Sequence, residues 1–224
     1  MGKLPEYMKI TLSICTNRLI QPRTVECLLN LVNKSKHDLD IVVATRGYTV
    51  AENRNYSVIQ AQKNKSDYVL FIDDDMTFPP ETLDILLSHQ KDIVGVNSYS
   101  RILPLSPTTG LMSEKGEYKH PDKYPEWEMK IPDELFEAYF VGCGVCLIDM
   151  KVFKKVKNPF FKFTYEKSGL VKGGEDGNFC DRARKEGFKI FCDPNLSISH
   201  LGIIEYGEDL DIKLKEIYQT NQNQ

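Results

Sequence analysis

Three groups of side chains in this sequence have the types and spacing to do chemistry. The first is Asp73-Asp74-Asp75, which follows directly on the apolar run 68–72. Residues two apart in an extended segment point to the same side, so Asp73 and Asp75 can face one ion while Asp74 points elsewhere. Hard carboxylate oxygens of this kind suit Mg2+ or Mn2+, which bind a few carboxylates together with substrate phosphates. Adjacent carboxylates repel one another, so a cation is the expected companion of such a run after a buried strand. The alternative is an acidic turn in solvent. The second group is Gly173-Gly174-Glu175-Asp176, leading into a helical pattern that ends at Gly187. Paired glycines let a backbone lie close to a substrate or take positive φ. The two acids stand at the mouth of the helix, where they are either chemical groups or ordinary capping residues. The third is His200, after the turn Asp193-Pro194-Asn195; His37, His89 and His120 have no comparable setting.

The elements that must position these residues alternate. Residues 8–15 read as a first strand. Pro22 and Thr24 suit a helix start, and Val25, Leu28, Leu29 and Val32 recur at helical spacing. Residues 40–44 read as a second strand, followed by a polar helix over 50–62. Residues 68–72 form a third strand, continuously apolar as a buried parallel strand is. Pro79-Pro80-Glu81 opens a helix carrying Leu83, Leu86 and Leu87, and 92–96 is a fourth strand. Strand–helix alternation of this kind is the mark of an α/β fold with a mainly parallel central sheet flanked by helices. In such sheets, ligands bind beyond the carboxyl ends of the strands, where the acidic run sits. Periodicity fails over 98–133, a stretch long enough to expect a functional loop or lid. Later strands are expected at 139–148 and 188–192, and 219–224 as a frayed tail.

The 224 residues fit one domain, and 41% hydrophobic content is enough for a substantial core. A net charge of −3 gives no clear nucleic-acid-binding patch. The crowd Lys151, Lys154, Lys155 and Lys157 reads as a solvated helix face before a polyanion or membrane patch. The first dozen residues lack a signal-peptide core, and no apolar run approaches the roughly 20 residues that cross a bilayer. A soluble, cytoplasmic protein is therefore expected, with its six cysteines reduced. Cys143 and Cys146 form a CxxC that Cys180 and Cys192 could complete as a zinc site, but it lies inside an apolar run and the second pair is too widely spaced.

The order of strand with three aspartates, Gly-Gly-Glu-Asp with helix, and strand with histidine resembles glycosyltransferases of the GT-A fold, nearest to family-2-like enzymes of the nucleotide-diphospho-sugar transferase superfamily. The segments that carry it are 68–80 (YVLFIDDDMTFPP), 139–153 (YFVGCGVCLIDMKVF) and 173–202 (GGEDGNFCDRARKEGFKIFCDPNLSISHLG), with a weaker match at 51–55 (AENRN). The resemblance implies a single Rossmann-like GT-A domain over 1–218. It would have a nucleotide-binding half at 8–97, an acceptor loop at 98–133 and a catalytic half at 134–205. It implies Mn2+ or Mg2+ on the donor diphosphate, held by Asp73, Asp75 and His200. It makes Asp176 the base of an inverting transfer, with Glu175 positioning the acceptor or the base. Thr16, Arg46, Arg54, Asp73 and Asp74 are the implied donor contacts, and Gly174 and Trp127 the implied acceptor contacts. The uracil-reading acid expected after strand two is replaced by Thr45-Arg46-Gly47, which leaves the donor open between a UDP- and a GDP-sugar.

The chemistry would need such groups. Sugar transfer passes through an oxocarbenium-like state while the leaving diphosphate gains charge, which a divalent ion stabilises. A carboxylate takes the proton of the attacking hydroxyl. Tyr118, Tyr124 and Trp127 offer sugar-stacking surfaces in the 98–133 loop. The acceptor is left open among glycan, protein, lipid and modified base. A nucleotidyltransferase would want a Gly-rich phosphate loop after strand one, and residues 13–23 contain no glycine. A Ca2+-binding module would want alternating Asp/Asn, a central Gly and a distal Glu, which 73–80 lacks.

Overall fold

A computed structural model describes residues 7–17, 19–45, 47–101, 105–119, 129–203, 207, 210–212 and 214–215. Strands β1 (Lys9–Cys15), β2 (Asp38–Ala44), β3 (Tyr68–Asp73), β5 (Ile93–Val96), β6 (Phe136–Glu137), β7 (Val145–Asp149) and β10 (Ile190–Asp193) form one sheet in the order β2-β1-β3-β7-β5-β10-β6. β1 pairs in parallel with β2 and β3, and β5 with β10. β7 runs antiparallel to both β3 and β5, so those two share a direction, and β6 runs antiparallel to β10. Five of the seven strands therefore point the same way, and the sheet is mainly parallel, as expected. The carboxyl ends of β1, β2, β3, β5 and β10 gather on one rim.

Period-two alternation divides the core between the two faces. Val69 and Phe71 of β3 face one apolar cluster, with helices α2 (Val50–Asn64), α4 (Val152–Lys155) and α5 (Glu175–Lys185). Leu70 and Ile72 face the other, with α1 (Pro22–Lys34) and α3 (Thr82–Ser88). The first cluster is rich in aromatic rings: Phe161 and Phe179 stack at 4.6 Å, and Phe71 meets Phe161 edge-on at 5.3 Å.

Helix α1 starts with Pro at its first turn, as its sequence demands, but its buried face differs from the expected one. Thr24, Leu28 and Leu31 are buried, while Val25 and Leu29 lie exposed. The stripe that faces the sheet runs i, i+4, i+7 through Thr24, Leu28 and Leu31, although the Thr24 hydroxyl is buried with no hydrogen-bond partner among the described residues. Helix α2 opens on a capping box between Thr49 and Glu52 and closes on Lys65 in the left-handed region. β7 is shorter than the expected 139–148, because Gly142-Cys143-Gly144 is spent on a loop that approaches the rim. Cys180 and Cys192 do not join Cys143 and Cys146 around a metal; all six thiols are free, and among the described residues no three His, Cys, Asp or Glu side chains are grouped to hold one. Burial pushes the Cys192 thiol up to about 12. In the lysine-rich segment Lys151 pairs with Asp92 and Asp149, at 2.5 and 3.2 Å, while Lys154, Lys155 and Lys157 face solvent over buried Val152, Phe153 and Val156. Among the described residues no helix is long and apolar enough to cross a membrane.

Two small pairings complete the rim. The acidic run leads into β4 (Met76–Thr77), which pairs antiparallel with β11 (Ser199–His200), setting His200 opposite Met76. Strands β8 (Thr164–Tyr165) and β9 (Val171–Gly173) form a hairpin that delivers the chain into α5.

Candidate active site

The site is organised around an arginine that no hydrophobic pattern predicts to be buried. Arg54 lies on the inner face of α2, its side chain only 2% exposed. Its Nη2 donates to both oxygens of Asp73 at the end of β3, at 3.1 and 3.3 Å. Its Nη1 donates to Glu175 Oε1 and to Asp176 Oδ1 in the first turn of α5. The guanidinium also lies over the Phe161 ring at 5.9 Å. One buried cation thus faces three carboxylates, which is the compensation a buried charge requires. Burial opposes the charge on Arg54, but Asp176 and Asp73 outweigh it and hold the group firmly protonated. Burial, against the pull of Arg54, pushes the Asp73 carboxyl up to about 6. Burial and the neighbouring Asp176 also raise Glu175.

The two acids at the start of α5 could have been caps. They are not: Gly174 is the N-cap and no side chain caps the helix. Both carboxylates turn instead toward Arg54, while the positive end of the helix adds to the field around them. Asp176 is held on its other side as well, since Oδ2 accepts the backbone N–H of Cys143 at 3.1 Å. The loop that makes this contact runs close to Asp73 and Met76 at Gly144. A Cβ at Gly144 would stand 3.6 Å from Asp73 Oδ2 and 3.3 Å from the Met76 sulfur. Asp73 in turn donates its N–H to the Gly144 carbonyl at 2.9 Å.

Asp75 belongs to a second group. Its Oδ1 lies 3.2 Å from His200 Nε2, and its Oδ2 accepts from Arg101 at 2.7 Å. The other ring nitrogen of His200 lies 3.2 Å from the Tyr99 carbonyl. Backbone bonds brace the pair, with Leu201 N–H donating to the Asp75 carbonyl at 2.7 Å and Gln21 N–H to the Asp74 carbonyl at 2.8 Å. Burial disfavours the Asp75 charge, but the hydrogen bond and charge of His200, helped by Arg101, lower its pKa overall. The Asp75 hydrogen bond raises His200 in return, against burial. A carboxylate and an imidazole this close can share a divalent ion, which ordinarily draws its remaining ligands from phosphates and water. Both oxygens of Asp75 and both ring nitrogens of His200 are engaged by protein groups, as are both oxygens of Asp73, so an ion held by these residues would have to displace Arg101 or Arg54.

The other sequence-derived residues are distributed along the same rim. Thr16 is buried just beyond β1; its N–H donates to the Ala44 carbonyl at 3.1 Å, and its carbonyl accepts from Asn53 at 3.2 Å. Asn53 also accepts the Gly47 N–H at 2.7 Å, so one α2 side chain ties together the loops after β1 and β2. Asp74 stands half-buried between the two acid groups in sequence. Arg46, Tyr124 and Trp127 lie outside the described residues. Tyr118 packs its ring on Tyr139 and Phe140, at 5.3 and 5.5 Å. Arg101, the Cys143 N–H and Asn53 are additions that sequence reasoning did not supply. Only the glycines around Cys143 gave any signal for them.

Solved structures share this architecture. The crystal structure of A197 from STIV aligns with a TM-score of 0.55 at 16% identity, over 88% of this chain and 86% of that one. The crystal structure of GalNAc-T7 with UDP, GalNAc and Mn2+ aligns with a TM-score of 0.50 at 13% identity, over 88% of this chain and 44% of that one. The fold is GT-A-like. No protein-family model and no curated protein sequence matches the chain. At such identities the likeness is one of fold alone; in open α/β sheets ligands lie beyond the carboxyl ends of the strands, where Asp73 ends β3.

Proposed function

We propose that this chain is a metal-dependent glycosyltransferase of the hexosyltransferase type, moving a sugar from a UDP- or GDP-sugar to an acceptor hydroxyl with inversion. The observation that carries the reading is the meeting, at one rim of a GT-A-like sheet, of the Asp75–His200 pair and the Arg54-held Asp176. Asp75 and His200, with Asp73 beside them, would hold Mn2+ or Mg2+, which would stabilise charge on the departing nucleoside diphosphate. Asp176 is 24% exposed at its side chain, enough to meet an acceptor, and would take the hydroxyl proton as the acceptor attacks. Glu175, which shares the same guanidinium nitrogen, would hold Asp176 in place. Thr16, Asp74 and Arg46 belong to the donor side, and Gly174 and Trp127 to the acceptor side. The acceptor itself is a glycan, protein, lipid or modified base.

The test is a panel of nucleotide sugars incubated with the protein and Mn2+ or Mg2+. Metal-dependent release of a nucleoside diphosphate is expected. Release of a sugar 1-phosphate would instead assign nucleotidyl transfer, and no turnover with any donor would leave a binding module. An α-configured product from an α-linked donor would remove the inverting mechanism and the need for a base.

A further inference from the structure

An arginine at this place could have served the donor phosphates, but its geometry argues otherwise. At 2% exposure the Arg54 side chain is out of reach of a bound diphosphate unless a carboxylate leaves it. Its two terminal nitrogens point to different elements, Nη2 to Asp73 on β3 and Nη1 to Glu175 and Asp176 on α5. These partners lie 19, 121 and 122 positions away in the chain. A planar fork can bridge two such groups at fixed angles, and an ammonium, being a point charge, cannot. Asp176 is thereby gripped at one oxygen by Arg54 and at the other by the Cys143 N–H, 3.1 Å away, while its side chain stays 24% exposed.

We propose that Arg54 is a positioning residue that fixes the carboxylate of Asp176 in register with Asp73, so that base and donor-side acid keep one geometry. This rests on the reading of Asp176 as the base. Preorganisation of that kind acts on the transfer step, because a displacement of about 1 Å at a reacting group costs on the order of a hundredfold in rate.

The experiment compares wild type with Arg54→Lys, checked for a cooperative melt, on a donor that wild type turns over. The lysine variant is expected to bind UDP or GDP with Mn2+ within about threefold of wild type, on an affinity scale where tenfold is the smallest decisive change. Its kcat is expected to fall about a hundredfold while KM for the donor stays nearly unchanged. Adding Asp176→Asn to Arg54→Lys should then cost far less than Asp176→Asn alone, since the two act as one unit. A kcat near wild type, an equal loss of nucleoside diphosphate affinity, or additive losses would each overturn the assignment. If Arg54→Lys does not fold, Arg54→Gln is read for the same outcomes. If neither folds, Arg54 is a folding residue only and the positioning role falls. A wild-type chain that turns over no nucleotide sugar defeats the transferase reading, and the positioning role with it. Turnover by wild type together with an unimpaired lysine variant defeats the positioning role alone.

Discussion

The carboxylate of Asp176 and the guanidinium of Arg54 form a buried ion pair across 122 positions of chain, and the same carboxylate accepts the Cys143 N–H from the opposite side at 3.1 Å. A carboxylate held this way has its orientation fixed before any acceptor arrives, as the proposed base would need. Asp176→Asn preserves the shape but turns one of the two acceptor oxygens into an NH2 donor, so it keeps at most one of the two accepted bonds and loses the basicity. Transfer is expected to fall by about 10²–10⁴-fold, with nucleoside diphosphate affinity retained. Steady-state kinetics and calorimetry on the same preparation check both halves. Transfer at the wild-type rate would remove Asp176 from the role of base.

Asp73 gives a pH dependence whose sign can be worked out. Burial lifts its carboxyl from 3.8 to about 6, so between those values the folded chain keeps a proton that the unfolded chain has lost. The stability this contributes is complete below the lower value and is lost as pH rises through the upper one. Asp73→Asn carries no such proton. Its melting temperature should therefore gain on that of wild type as pH rises from about 4 to about 7, with metal chelated throughout. Thermal melts across that range decide it. If the asparagine variant loses ground over the same range, pairing with Arg54 outweighs burial at Asp73.

Much of this arrangement was legible in the sequence, and the parts that were not have physical causes. The run 68–72 announced a buried parallel strand, and its position put the aspartates on the rim. The Gly-Gly-Glu-Asp segment could not be told from a helix cap, since the two differ only in where the side chains turn, and Arg54 settles that. The family resemblance implies a donor contact for Arg54 as a basic residue after the second strand, and its burial is not signalled by the polar pattern of α2. Its inner face of Asn53, Arg54 and Ser57 is nonetheless buried, and what makes this possible is a set of acids that arrive from distant elements. Arg101 sits in a stretch without periodicity, so no local pattern could aim it at Asp75. The face of α1 shows the same limit, because the apolar spacing through Val25 and Leu29 does not point to Thr24, which is buried in their place.

The Asp75–His200 pair predicts metal binding that weakens in acid. An imidazole ligand must be neutral, and Asp75 raises the His200 pKa above its ordinary 6.5, so protons compete at a higher pH than for a free histidine. Mn2+ titrated into the protein with UDP or GDP should release protons, more of them near that pKa than well above it. Asp75→Ala should abolish the metal dependence of nucleotide binding, and chelation should do the same to wild type. Calorimetry in two buffers of different ionisation enthalpy reads the protons. A Mn2+ or Mg2+ response unchanged in Asp75→Ala would sink the assignment.

The support for Asp176 can also be probed from beneath the sheet. Gly95 of β5 faces Val141, and a Cβ placed there would stand 2.8 Å from both the Cβ and a methyl of that valine. Gly95→Ala should therefore destabilise the fold by about 1–3 kcal/mol through overpacking. The strain would be directed at the residue that precedes Gly142 and Cys143, whose N–H holds Asp176. Transfer is expected to fall further than the lost stability explains, measured well below the melting temperature. Val141→Gly in the same chain removes the Cβ and the methyls that the new Cβ would meet and should restore part of the loss, giving a coupling of about 0.5–3 kcal/mol in a denaturation cycle. Strictly additive effects would mean that the strain is relieved elsewhere, and that the loop holding Asp176 does not depend on the packing of β5.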